Sequence, residues 1–292
     1  MQNRAMPATV DAVRVVRTVA ELRALRAALL EPVGFVATMG ALHGGHETLV
    51  RRARQECTTV AASIFVNPLQ FAPGEDFEKY PRTFAVDVER LAAWGTDVVF
   101  APSTDEMYPP QMECAVEPGP LAAFFEGTKR PGHFRGVATV VLKLFEIVAP
   151  QRAYFGWKDA QQLAVVRRMA ADFNLPVQVV ACPTVREPDG LAMSSRNAYL
   201  SDGERAAAPN LQRALRGLAA ALSVRGAGLS PALRAAEAML PPLRLDYLAI
   251  VDPEKFVPLD ELPPSGPLLA IGAAFAGSTR LIDNAEVRSA LA

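Results

Sequence analysis

With only three cysteines, three histidines and five lysines in 292 residues, the sequence is poor in several reactive residue types, and each shortage narrows what the chain can be. Cys57, Cys114 and Cys182 are odd in number, far apart and without CxxC spacing, which argues against a disulfide framework and a structural zinc site and fits a reducing cytoplasm. Neither sign of charge prevails: 30 Lys and Arg face 31 Asp and Glu, for a net charge of −1. No global field therefore draws nucleic acid or anionic lipid, and no basic stripe with interleaved aromatics is present, so any anion must be held by a local cluster. Long apolar runs are missing too. The opening MQNRAMPATVDAVRVV has no signal-peptide core, and no stretch approaches the roughly 18 apolar residues of a membrane helix, so a cytoplasmic protein with no membrane partner is expected. A G-x-G-x-x-G turn, a fixed-period repeat and a low-complexity tract are likewise absent. What remains is an ordinary globular composition, 50% hydrophobic and 21% charged, long enough for one large domain or two unequal ones.

After a polar tail of about nine residues, Thr18 and Glu21 form a capping-box pattern before a surface helix reaching Leu30. Val33 to Met39 is a compact apolar run followed by a glycine-bearing loop and helical spacing over Glu47 to Arg54. The unit repeats with a strand at Thr59 to Val66, a helix at Asp87 to Trp94 and a strand at Asp97 to Ala101. Further on, helices at Val137 to Val148 and Ala160 to Phe173 alternate with strands at Ala153 to Phe155 and Val177 to Ala181. Such alternation predicts an α/β fold, a Rossmann-like parallel sheet with helices on both faces and ligands at the carboxyl ends of the strands. Beyond about Arg186 the texture becomes Ala- and Arg-rich, with helices at Glu204 to Val224 and Pro231 to Leu240 and strands near Tyr247 to Val251 and Leu268 to Phe275. Two domains, 1–185 and 186–292, are expected, the second a smaller α+β unit.

The chemistry-bearing residues gather in a few strings. In TMGALHGGH, His43 and His46 lie three apart just after the first apolar run, where a helix N-terminus offers free N–H groups; a phosphate is the natural guest of such a turn. Two solvated loop histidines are the plainer alternative, and a catalytic zinc is disfavoured because no third ligand lies nearby in sequence. In FGWKDAQQL, Gly156 permits close backbone approach, Lys158 supplies a cation at a strand end, and Asp159 suits a helix N-cap. Gln161 and Gln162 point to different faces, one toward a polar substrate and the other exposed. REPDGLAMSSRN places Ser194, Ser195, Arg196 and Asn197 at the expected domain junction, hydroxyl and guanidinium chemistry suited to phosphate, or else a polar interdomain loop. FVNPLQF and RPGHFRG put Asn67, Gln70, Arg130, His133 and Arg135 at loop ends.

Taken in order with YPRT, DYLAIVDP and TRLIDN, these strings resemble the pantothenate synthetase family, from about Val33 to Asn284. The resemblance implies a nucleotidyl-transferase domain with an H-x-G-H box after the first strand, a C-terminal lid and a homodimer. It implies ATP, pantoate and β-alanine as substrates, Mg²⁺ with the nucleotide, and two steps: pantoate attacks the α-phosphate to give pantoyl adenylate and pyrophosphate, then the amine of β-alanine displaces AMP.

By position, the resemblance implies that Met39, Gly40, Ala41, Leu42, His43, Gly44, Gly45 and His46 line the ATP, with His46 at the position of a proton donor. Gly156, Trp157, Lys158, Asp159, Val185, Met193, Ser194, Ser195 and Arg196 frame the rest of the nucleotide. His43, Lys158, Ser194, Ser195 and Arg196 share the catalytic role with His46. Gln70 and Gln162 hold pantoate, Gln70 also lies near β-alanine, and Asn67, Tyr80, Arg130 and His133 are neighbours. Asp87 is expected to contact the metal. The sequence departs from the family's usual pattern at Ala37 for Pro, at Gly44 for a charged residue and at Trp157, where FGEKD is usual. Another H-x-G-H nucleotidylyltransferase and a noncatalytic nucleotide-binding relative are the alternative functions.

Overall fold

The computed structural model describes residues 13–287 apart from 111, 225 and 227, so the expected polar tail lies outside the described residues. In chain order the first part comprises β1 (Arg14–Val16), α1 (Val19–Arg26), β2 (Val33–Thr38), α2 (Gly44–Glu56), β3 (Thr59–Ile64), α3 (Phe84–Trp94) and β4 (Val98–Phe100). It continues through two short helices, α4 (Thr104–Met107) and α5 (Glu126–Lys129), then α6 (His133–Val148), β5 (Arg152–Gly156), α7 (Ala160–Asp172) and β6 (Gln178–Cys182). The second part holds α8 (Asp202–Ala207), α9 (Asn210–Leu222), α10 (Leu229–Glu237), β7 (Arg244–Val251), β8 (Leu268–Ala276) and β9 (Thr279–Val287).

The first six strands form a parallel sheet in the order β1-β4-β3-β2-β5-β6. Its strands read as apolar runs rather than alternations because helices cover both faces. On one face α6 buries twelve of its sixteen residues, among them Phe134, Leu144 and Phe145, and packs with α1 and α7 against Phe35, Ala61 and Phe100. On the other, Leu49, Val50 and Ala53 of α2 and Leu91 of α3 cover Val36, Val60 and Val99. Burying each large aliphatic or aromatic side chain contributes on the order of 1.5–3 kcal/mol. The sheet order reverses direction at β2, which pairs with β3 on one side and β5 on the other, so the crevice for a ligand opens between the carboxyl ends of β2 and β5.

The second part is a separate antiparallel sheet, β7-β8-β9, backed by α9 and α10 through Leu211, Leu215, Leu218, Ala270 and Ala274. An ionic cluster around buried Glu126 joins the two parts: Arg280 on β9 bonds Glu126 at 2.6 and 2.7 Å and Asp246 at 2.9 Å, and Lys129 pairs with Asp246 at 2.7 Å.

Several sequence expectations change. The Thr18 capping box is present, but α1 ends at Arg26 rather than near Leu30. The glycines Gly44 and Gly45 already belong to α2, because His43 caps it. The helix expected over Glu204 to Val224 is two helices, broken where Pro209 has no N–H to give. Strands β1 and β9 are not among the sequence expectations; β9 carries Arg280, Asp283 and Asn284, whose polarity masks a buried strand.

Candidate functional site

The site is built on the loop leaving β2. Gly40 has φ +84°, and a side chain there would meet the Asp87 carboxylate, so the chain can turn inward at this point. Asp87, fully buried on α3, accepts from Ala41 N at 3.0 Å, Leu42 N at 2.9 Å and the Thr83 hydroxyl at 2.9 Å, while Arg90 donates to the Leu42 carbonyl. With its oxygens occupied by these donors, Asp87 shapes the loop and does not face the cavity; the expected metal contact is corrected to this buried role.

The anchored loop delivers His43 to the N-cap of α2 and His46 to its third position, with ring centroids 4.2 Å apart. His43 Nδ1 accepts from Gly45 N at 3.1 Å, and His46 Nδ1 accepts from His43 N at 3.3 Å. Each ring therefore keeps its hydrogen on Nε2. Burial, then the Lys158 charge, pushes His43 down to about 4. Burial, then His43 and Lys158, pushes His46 down to about 3. At neutral pH both are uncharged hydrogen-bond donors.

Around them lies a cavity of about 250 Å³. Met39, His43, Gly45, His46, Asn67, Gln70, Tyr80, Arg130, His133, Gly156, Lys158, Asp159, Gln162, Val185, Met193, Ser194, Ser195 and Arg196 all line it. Through Lys158, Asp159, Gln162, Ser194 and Arg196 it adjoins a cleft of about 890 Å³ between the two parts of the chain. Gly40, Ala41, Leu42 and Gly44 are not in the lining; the first three turn toward Asp87, and Gly44 abuts the Met193 thioether.

Other expected residues take defined places. Asn67, 1% exposed, donates its amide to Gln70 Oε1 at 3.0 Å and the Gly136 carbonyl at 3.1 Å and accepts from Tyr108 at 2.7 Å, so it steers Gln70. Gln70 Nε2 points to the Met39 sulfur at 3.1 Å. His133 Nδ1 donates to the Gln70 carbonyl at 2.8 Å, and its Nε2 accepts from Arg130 at 3.1 Å. Gln161 is not the exposed partner of Gln162: it is buried and bonds Leu121 O at 2.8 Å, Phe124 O at 2.9 Å and Glu126 N at 3.1 Å. Asp159 stands at the N-cap of α7, but its side chain makes no cap bond and lines the cavity instead.

Trp157 does not line the cavity. Its ring packs against the core, with the Arg167 guanidinium 6.0 Å from the ring centroid, and only its carbonyl meets the site's frame, accepting from Asn284 at 2.8 Å. The same Asn284 amide bonds the Lys158 carbonyl at 3.1 Å, and Asp283 holds Arg186 at 2.6 and 3.0 Å. TRLIDN thus fixes the backbone of FGWKD and the root of the SSR loop.

Sequence reasoning missed Gly136, Glu75 and Asp76. A side chain at Gly136 would run into the Leu69 carbonyl, so this glycine lets α6 press against the turn bearing Gln70. Its place at the end of RPGHFRG was the available signal. Glu75 and Asp76 pair with Arg130 and Arg196, and nothing in an acidic surface turn announces that.

A glycine-flanked imidazole pair on a helix N-terminus, at the switch point of a parallel sheet with lysine and serine donors opposite, defines an α/β enzyme built to handle a nucleotide's phosphates. The family model described as pantoate-beta-alanine ligase matches residues 14–286. The pantothenate synthetase of Acidothermus cellulolyticus is 54% identical over 280 residues, covering 94% of this chain and 92% of that protein. The crystal structure of pantothenate synthetase from Thermus thermophilus superposes with TM-score 0.88 at 54% identity, over 94% of this chain and 99% of that one. A pantoate-beta-alanine ligase from Francisella tularensis, complexed with beta-gamma ATP and beta-alanine, has TM-score 0.78 and 32% identity, over 96% and 100% of the two chains. The chain belongs to the pantoate–β-alanine ligase family. It is an enzyme, a ligase of pantothenate synthesis.

Proposed function

We propose that this ligase condenses pantoate with β-alanine through a pantoyl adenylate, releasing pyrophosphate and then AMP, on the residues that meet in the smaller cavity. The observation that carries this is the convergence of the two neutral Nε2–H donors, Lys158 and the SSR segment on the same space as Gln70 and Gln162. In-line attack by a pantoate carboxylate oxygen on the α-phosphorus needs positioning and neutralisation of charge more than covalent help. His43 and His46 supply fixed N–H donors, Lys158 a cation, and Ser194, Ser195 and Arg196 further donors to the departing pyrophosphate. A neutral His46 donates a hydrogen bond from Nε2 to the phosphates. Gln70 and Gln162 suit pantoate's hydroxyls. In the second step the β-alanine amine attacks the acyl carbon and AMP departs.

Among the described residues no group of three or more His, Cys, Asp or Glu is arranged to hold a metal ion. A single carboxylate in the cavity lining, Asp159, fits Mg²⁺ arriving on the nucleotide, since this ion keeps several waters and leans on one or two carboxylates plus phosphates. Asp159 is the carboxylate that would hold it. Bound there, the ion supplies neutralisation of triphosphate charge.

The proposal includes the division into 1–185 and 186–292, the second part acting as a lid. It extends to a homodimer, resting on the family resemblance, and to the cytoplasm, resting on three cysteines too scattered to pair. No helix among the described residues is long and apolar enough to cross a membrane. The deciding experiment measures AMP from ATP and pantoate with and without β-alanine. AMP and pantothenate in equal amounts only with the full set are expected. Pyrophosphate without β-alanine-dependent AMP would favour a nucleotidylyltransferase instead.

A further inference from the structure

Two consecutive acids on the turn-rich segment 72–80 reach across the mouth of the cavity to two of its arginines. Glu75 grips Arg130 at 2.8 and 2.7 Å, and Asp76 grips Arg196 at 3.0 Å on Nε and 2.9 Å on Nη2. The two pairs differ in what they leave over. Arg130 has its Nη1 against His133 Nε2 and its Nη2 also on the Gln70 carbonyl, so every nitrogen of its fork has a partner inside the protein. Arg196 is held along one edge only, and with Nη1 outside that pair it lines the cavity. A guanidinium has five N–H donors in a planar fork, so a carboxylate on one edge orients the other without consuming it.

The same pair ties together segments far apart in the chain, one from each part. Beside it, buried Tyr80 faces Ser195. The Tyr199 hydroxyl reaches the Lys79 carbonyl at 3.5 Å. The seam therefore runs along 76–80 and 195–199, over the space where an acyl adenylate would wait.

We infer that Asp76 is a positioning residue for the ligation: by gripping one edge of Arg196 it aims the guanidinium at the nucleotide's phosphates and keeps the seam shut until β-alanine replaces AMP. The inference rests on the ligase mechanism proposed above. With the seam loosened, water adds to the acyl carbon of the adenylate, AMP leaves, and pantoate is regenerated, so AMP is formed without pantothenate.

The test compares the unaltered enzyme with D76N and D76E at limiting β-alanine, reading KM for ATP, kcat and the ratio of AMP to pantothenate, with thermal unfolding alongside. The unaltered enzyme is expected to give a ratio of one. D76N is expected to raise KM for ATP about tenfold and to lift the ratio above one, with D76E restoring much of both. A loss of fold alone lowers the active fraction and leaves ratio and KM where they were; should D76N fail to fold, D76E must still show the smaller shift in the same direction. Unaltered KM and a ratio of one in the folded variants would overturn the role of Asp76 alone. Absence of β-alanine-dependent AMP from the unaltered enzyme would overturn the ligase mechanism and this inference with it.

Discussion

At the residue scale, the paired histidines owe their usefulness to what they cannot do. Each Nδ1 is engaged by a backbone N–H and each ring is pushed well below its ordinary pKa, so the hydrogen on Nε2 stays in place through the neutral range. A donor fixed before substrate arrives needs no reorganisation when charge builds on the departing phosphates. His46→Ala should therefore lower the rate of adenylation by about 10² with little change in the folded spectrum, measured as pyrophosphate release in a single turnover. An unchanged rate would remove His46 from the chemistry. The residue types and their spacing were readable from the string TMGALHGGH. What held them was not: Asp87 acts on N–H groups more than forty positions earlier in the chain, and only the fold brings them together. Trp157, by contrast, stood out in the sequence as a departure in a binding motif, yet the side chain turns into packing and leaves the cavity lining to its neighbours.

Among the elements, the parallel sheet was legible because β2 and β3 are uncharged runs without polar alternation, the pattern of strands covered on both faces. Strands β1 and β9 escaped for opposite reasons. The first is three residues long, and the second carries polar residues, Arg280 and Asn284, that find partners in the other part of the molecule. The seat of the turn Pro68–Gln70 on α6 depends on a missing side chain at Gly136. Gly136→Ala puts a carbon against the Leu69 carbonyl and the Gln70 amide, so the turn must shift and carry Gln70 with it. We expect this variant to raise KM for pantoate by about tenfold while KM for ATP changes little, and to lose about 1–3 kcal/mol of stability. Steady-state kinetics with each substrate varied would check it; equal changes in both constants would mean that the disturbance spreads beyond the turn.

For the whole molecule, all three histidines are suppressed, His43 and His133 to about 4 and His46 to about 3, desolvation being the largest cause in each. An unfolded chain takes up protons on these rings as the pH falls below about 6.5, whereas the folded chain takes up none until near 4. The unfolded state thus binds more protons between those limits, so stability is full above pH 6.5 and falls as the pH drops toward 4. Tm followed from about pH 7.5 to about 4.5 should be flat at first and then decline, with proton uptake accompanying unfolding in the lower range. A level Tm across that range would contradict the neutral state of the rings.

The two hydrogen bonds from Asn284 to the carbonyls of Trp157 and Lys158 make an optical gauge out of an architectural contact. The chain has two tryptophans, and Trp94 lies on α3, away from this contact. Once Trp94 is replaced by Phe, the remaining indole emits from the very segment on which the last strand is seated. Its emission then reports, without any attached label, whether the two halves of the polypeptide stay in register during turnover.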